Sequence, residues 1–110
     1  MASGTIVNNN CAGSSNSLKL PDGTFIQWGL VSVTTNESTS SAFKYKGQST
    51  VTFNEPFTTV PYVVTNVRDN AAYWNSEHAS TTTTSVEISV GGDTNNATKY
   101  ADWIAVGRWK

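Results

Sequence analysis

The chain reads as an all-β protein, an antiparallel sandwich of about six strands, on three observations. Runs such as Val51-Thr52-Phe53 and Val86-Glu87-Ile88-Ser89-Val90 alternate apolar and polar residues with the two-residue period of a half-buried strand. Ser, Thr and Asn make up roughly a third of the sequence, a composition suited to strands and turns. No window carries the apolar spacing of a helix. Short, turn-rich links between the apolar runs favour two packed antiparallel sheets, with a small barrel as the alternative.

Residues 1–17 are nearly all Ser, Asn, Gly, Ala and Thr, with only Ile6 and Val7 as apolar anchors. Burial there is too small to offset the entropy of ordering, so the segment is expected to be a flexible linker to something upstream. Residues 18–110 form the domain. Pro21-Asp22-Gly23 is a turn signal, proline fixing its own φ and glycine free to take a positive one. Phe25 to Val33 behind it reads as a strand, with Gly29 marking a bulge or a close approach. Residues 34–48 are polar, and Ala42-Phe43-Lys44-Tyr45 suggests a short edge strand.

Ser49 to Phe57 alternates and meets Pro56, and Pro61 to Asp69 follows closely, which predicts an antiparallel hairpin of these two strands. Residues 70–83 read as a loop or irregular strand, Ser85 to Val90 as a clean strand, and Gly91-Gly92-Asp93-Thr94-Asn95-Asn96 as a turn. The last stretch, Trp103-Ile104-Ala105-Val106-Gly107-Arg108-Trp109-Lys110, carries two tryptophans on one face, so the chain is expected to finish inside its own core. Trp28, Trp103 and Trp109 are assigned to the core or to contacts between subunits.

Composition excludes several function classes. A net charge of −1, with the seven basic residues scattered, gives no footprint for phosphate contacts, so nucleic acid is not an expected partner. No run is apolar enough to cross a membrane, and the first residues lack the features of a signal peptide. Cys11 is the only cysteine, which rules out an internal disulfide and a cysteine-based zinc site. No metal and no cofactor are expected.

Catalysis is not expected either. A nucleophilic triad would have to use His78, the only histidine, and no serine sits in a nucleophile-elbow motif. Asp69, Glu77, Asp93 and Asp102 show no spacing that singles out a glycosidase pair. The cluster that does suggest chemistry is Arg68, Asp69, Tyr73, Trp74, Asn75 and His78. Sugar rings stack their C–H faces on Trp or Tyr, and adjacent hydroxyls need planar partners such as Asp, Asn and Arg. These six residues are the expected carbohydrate-binding set. The plainer reading is that Tyr73 and Trp74 cap the edge of the core while their polar neighbours solvate a turn.

Two motifs carry a resemblance. Leu18-Lys19-Leu20-Pro21-Asp22-Gly23-Thr24-Phe25-Ile26-Gln27-Trp28-Gly29 resembles the opening of the C-terminal tip domain of bacteriophage and prophage tail fibres, and Trp103 to Trp109 is similar to the ending of that domain. Val51, Phe53, Phe57, Pro61 and Val63, with Trp103, Ala105 and Gly107, are similar to the framework of H-type lectins, six-stranded sandwiches that trimerise. The resemblance implies a homotrimeric tip behind an upstream fibre shaft, part of a virion tail fibre made in the bacterial cytoplasm without Sec export. Its implied partner is a host cell-surface glycan, bound for adsorption. The alternatives are a free-standing lectin used in adhesion or defence, an enzyme acting on polysaccharide, and a purely structural trimerisation domain. A low charge and a surplus of tryptophans independently suit three copies hiding an apolar flank.

Overall fold

A computed structural model describes residues 16–39, 44–69 and 74–110. The described residues form eight strands: β1 (Asn16–Lys19), β2 (Thr24–Thr34), β3 (Glu37–Ser38), β4 (Tyr45–Thr52), β5 (Tyr62–Val67), β6 (Asn75–Ala79), β7 (Ser85–Gly92) and β8 (Thr98–Arg108). They make two four-stranded antiparallel sheets, β1-β2-β8-β5 (sheet A) and β3-β4-β7-β6 (sheet B). The all-β sandwich is as expected; the strands beyond six are accounted for by the short edge strands β1 and β3.

The turn at Pro21-Asp22-Gly23 joins β1 to β2. Gly23 takes a φ of 102°, its N–H donates to the Leu20 carbonyl at 3.0 Å, and the Leu20 N–H donates to Thr24 at 2.8 Å. β1 begins at Asn16 with Ser17 buried, so the sheet takes in the last two residues of the segment expected to be a linker. Cys11 and the rest of residues 1–15 lie outside the described residues.

β2 and β8 pair without interruption from Thr24↔Arg108 to Thr34↔Thr98. The bulge considered at Gly29 is therefore absent. Close approach explains the glycine: a Cβ at this position would lie 3.1 Å from the Trp103 indole, which covers the gap on the core side. β8 also starts five residues before the apolar stretch that marked it in the sequence.

The hairpin expected between residues 49–57 and 61–69 does not form. β4 runs in sheet B and β5 in sheet A. The link is too long for a tight hairpin, and its apolar residues fill the open end between the sheets instead. Phe53 and Phe57 are held by N–H bonds to the carbonyls of Thr84 and Thr83. Their rings meet edge-on at 5.0 Å, and Phe57 lies 5.0 Å from Phe25. Gly107 gives this cluster room, since a Cβ there would lie 2.6 Å from Phe57. Residues 42 and 43 of the edge strand suggested at 42–45 lie outside the described residues, and Tyr45 opens β4, an interior strand. Gly91 and Gly92 belong to β7 rather than to the turn that follows.

The core between the sheets contains Phe25, Val33, Phe53, Phe57, Val63, Trp74, Val86, Ile88, Val90, Ala101 and Ala105. Two buried polar side chains act as staples. The Gln27 amide donates to the Glu55 carbonyl at 2.8 Å and accepts from the Asn54 N–H at 3.0 Å. The Thr35 hydroxyl donates to the Thr94 carbonyl at 2.7 Å and accepts from the Ala97 N–H at 2.9 Å. Gln27→Leu keeps the volume but strands two backbone groups, so it should lower stability by about 2 kcal/mol. A urea midpoint that falls with an unchanged m-value checks this.

Candidate functional site

Strand alternation gives the sandwich two unlike outer faces. On sheet A, odd-numbered residues of β2, β5 and β8 point inwards, and even-numbered ones point out. Cross-strand register then aligns Ile26, Val106 and Tyr62 in one row and Trp28, Ile104 and Val64 in the next. Leu30 and Tyr100 extend this apolar face. Tyr62 is 85 % and Val64 65 % exposed. A depression of about 130 Å³ lies on the same sheet, beside Val64, Asn66, Asp102 and Ile104.

At the edge of this face the Arg68 guanidinium grips Asp102 with two bonds, Nε to Oδ2 at 2.9 Å and Nη2 to Oδ1 at 2.7 Å. The bonded guanidinium holds the Asp102 carboxyl below its ordinary pKa, and the carboxylate raises that of Arg68.

Asp69 sits on the other side of the chain from Arg68. It accepts from Lys99 Nζ at 2.6 Å, and the same ammonium lies 4.5 Å from the centre of the Trp74 ring. Trp74 is not the open stacking platform that the sequence suggested. It is 8 % exposed, and a Cβ at Gly92 would lie 2.5 Å from its ring, so the indole is packed over a strand glycine. Tyr73 and Asn70 lie outside the described residues.

Asn75 and His78 belong to β6 but leave it in opposite directions. His78 Nδ1 is 3.2 Å from the Thr81 hydroxyl. Asn75 and Glu77 point outwards on sheet B, opposite Gly91 and Ser89 of β7. Lys46 of β4 faces Gly91 from the other side, and these residues with Thr39 line a depression of about 70 Å³.

The structure thus brings Asp69 and Trp74 together through Lys99, sends Arg68 to the outer face of sheet A and Asn75 to that of sheet B. The sheet B depression was not singled out from the sequence. Its signal was present in residues 85–91, where Ser85, Glu87 and Ser89 stand opposite the inward Val86, Ile88 and Val90. Among the described residues, no group of three or more His, Cys, Asp or Glu is placed to hold a metal ion. No helix of the described residues is long and apolar enough to cross a membrane.

An uninterrupted β2·β8 ladder makes neighbours of the two terminal motifs that resembled tail fibres. The Trp109 indole donates to the Leu20 carbonyl at 2.8 Å, and its backbone N–H donates to Gly23 at 2.9 Å. The family model described as "putative tail fiber protein gp53-like, C-terminal" matches residues 19–108, and the chain belongs to that family.

Two solved structures share the fold. One is the R1 pyocin fibre of P. aeruginosa, with a TM-score of 0.64 and 20 % identity, covering 87 % of this chain and 26 % of that one. The chain therefore spans about a quarter of that fibre fragment. The other is an N-truncated R1-type pyocin tail fibre, with a TM-score of 0.65 and 17 % identity, covering 96 % of this chain and 86 % of that one. No curated protein matches the sequence.

Because Arg68 depresses the Asp102 pKa, that carboxylate favours the folded state above its unfolded pKa, and the contribution fades as pH falls through the lower folded value. Arg68→Ala should move the Asp102 titration up towards the ordinary carboxylate range. Carbon-detected NMR of the side-chain carboxyl between pH 2 and 6 reads the shift.

Proposed function

We propose that this domain is the receptor-binding tip of a tail fibre, a homotrimer that adsorbs to host cell-surface carbohydrate without catalysis. The observation that carries the reading is the apolar outer face of sheet A on a tail-fibre domain. Trp28, Leu30, Tyr62, Val64, Tyr100, Ile104 and Val106 are all exposed on one face of a single chain. Soluble monomers rarely present an apolar patch of this kind, and a second and third copy of the same face around an axis would cover it.

An upstream shaft of the same chain would hold the three copies together and place the tip at the far end of a virion-type particle. Three copies would also turn a weak single-site affinity into firm attachment, because later contacts become intramolecular. Two of the four acids weighed for catalysis are held in ion pairs, Asp69 with Lys99 and Asp102 with Arg68, which supports a non-catalytic role for them. A purely structural trimerisation domain would share the apolar face but would not retain cells.

Light scattering of the purified chain should give a mass of three times 11.8 kDa. Ile104→Lys places a charge in the middle of the apolar face and should give folded monomers. Labelled wild-type chain should be retained by some strains of a bacterial panel, and the monomeric variant should lose at least about tenfold of that retention. A wild type that is monomeric at micromolar concentration and retained by no strain contradicts the reading.

A further inference from the structure

We infer that the outer face of sheet B reads the saccharide, with the hydroxyl edge of one neutral sugar ring seated in the depression over Gly91. This rests on the fibre-tip reading above and assigns its binding surface. If sheet A is turned towards sister copies, sheet B is the broad face left to the exterior. Among the described residues, none of the large exposed hydrophobics lies on it. Its strands present Lys46, Gln48 and Thr50 from β4, Glu87 and Ser89 from β7, and Asn75 and Glu77 from β6.

The depression exists because of register. Gly91 lies between Lys46 and Asn75 in one row, and the short Ser89 lies between Gln48 and Glu77 in the next, so two small residues form a floor between longer walls. The wall groups are complementary to a polyol. The Glu77 carboxylate accepts from two adjacent hydroxyls, the Asn75 amide both donates and accepts, and the Lys46 ammonium donates to a hydroxyl or ring oxygen. At about 70 Å³ the space takes the edge of a ring rather than a whole one, which suits weak binding multiplied over several copies.

Charge selects among sugars. Glu37, Glu77 and Glu87 share this face with Lys46, whose ammonium already lies 3.7 Å from Glu37. A uronic acid or a sugar phosphate would bring another negative charge beside Glu77, so neutral sugars are preferred.

The test is an NMR titration of the full chain with the methyl glycosides of glucose, galactose, mannose and rhamnose, and with glucuronic acid and glucose 6-phosphate. At least one neutral glycoside should move the amides of Lys46, Glu77, Ser89 and Gly91 with millimolar affinity, and the anionic sugars should bind more weakly. Two variants test the depression separately. Gly91→Val fills it at a position where φ is ordinary, since Gly23 alone among the described glycines has a positive φ. Glu77→Gln keeps the shape and removes the charge. Each should weaken binding at least about tenfold with an unchanged melting temperature.

Binding by both folded variants at wild-type strength overturns the inference, as do shifts confined to the Asp69–Trp74 region or a preference for the anionic sugars. If cells are retained but none of these sugars binds, the inference fails and the fibre-tip reading stands. If neither cells nor sugars bind, both fail.

Discussion

The antiparallel ladder between β2 and β8 is the constraint on which the rest of the molecule depends. It joins the two ends of the described chain over eleven residue pairs and places β8 in the interior of sheet A, with β5 on its other side. Every inward residue of the ladder then has a fixed place in the core. Trp103 covers Gly29, Ala101 and Ala105 leave room for sheet B, and Gly107 leaves room for Phe57. The hydrogen bonds from Trp109 to Leu20 and Gly23 fasten the end of β8 to the turn that starts β2. Long-range pairing of this kind brings little reward until the ends of the chain meet, so the ladder also governs cooperativity.

One register fixes two surfaces. Once the odd-numbered residues of β2 and β8 face the core, Ile26, Trp28, Leu30, Ile104 and Val106 must face out, and β5 adds Tyr62 and Val64 to the same face. In sheet B the same rule points Val86, Ile88 and Val90 inwards and leaves Ser, Thr, Glu, Asn and Lys outside. The domain is therefore apolar on one outer face and polar on the other. A fibre tip has use for that asymmetry, since one face can be spent on self-association while the other meets a hydrated surface.

Strands whose pattern is local were legible in the sequence. The Pro21-Asp22-Gly23 turn marks the start of β2 and clean alternation marks β7, whereas the aromatic core is legible only in part: Trp28, assigned to the core or to subunit contacts, lies exposed on the outer face, and Trp74, read as a sugar platform, is buried. Partnership between sheets was not legible, because Phe53 and Phe57 fit a continued strand as well as a plug for the end of the sandwich. The candidate site was legible only in part, for a related reason. Residues close in sequence are not close in space here, because the extended backbone turns neighbours to opposite sides. Arg68 and Asp69 part company at the end of β5, Asn75 and His78 do so within β6, and Trp74 turns inwards. The sheet B depression depends on Gly91 falling between Lys46 and Asn75, a register that no single segment of sequence contains.

In the proposed assembly the outer face of sheet A is covered by sister copies. Tyr62 reports on it most directly, because its ring is the most exposed large apolar group among the described residues of the single chain. Hydroxyl-radical footprinting read by mass spectrometry, run across a dilution series, measures its access to solvent. Covered faces predict that Tyr62 is protected at high concentration and labelled as the copies separate on dilution or on denaturation. Labelling at the rate of a free phenol at every concentration, in protein that is otherwise folded, would contradict the account.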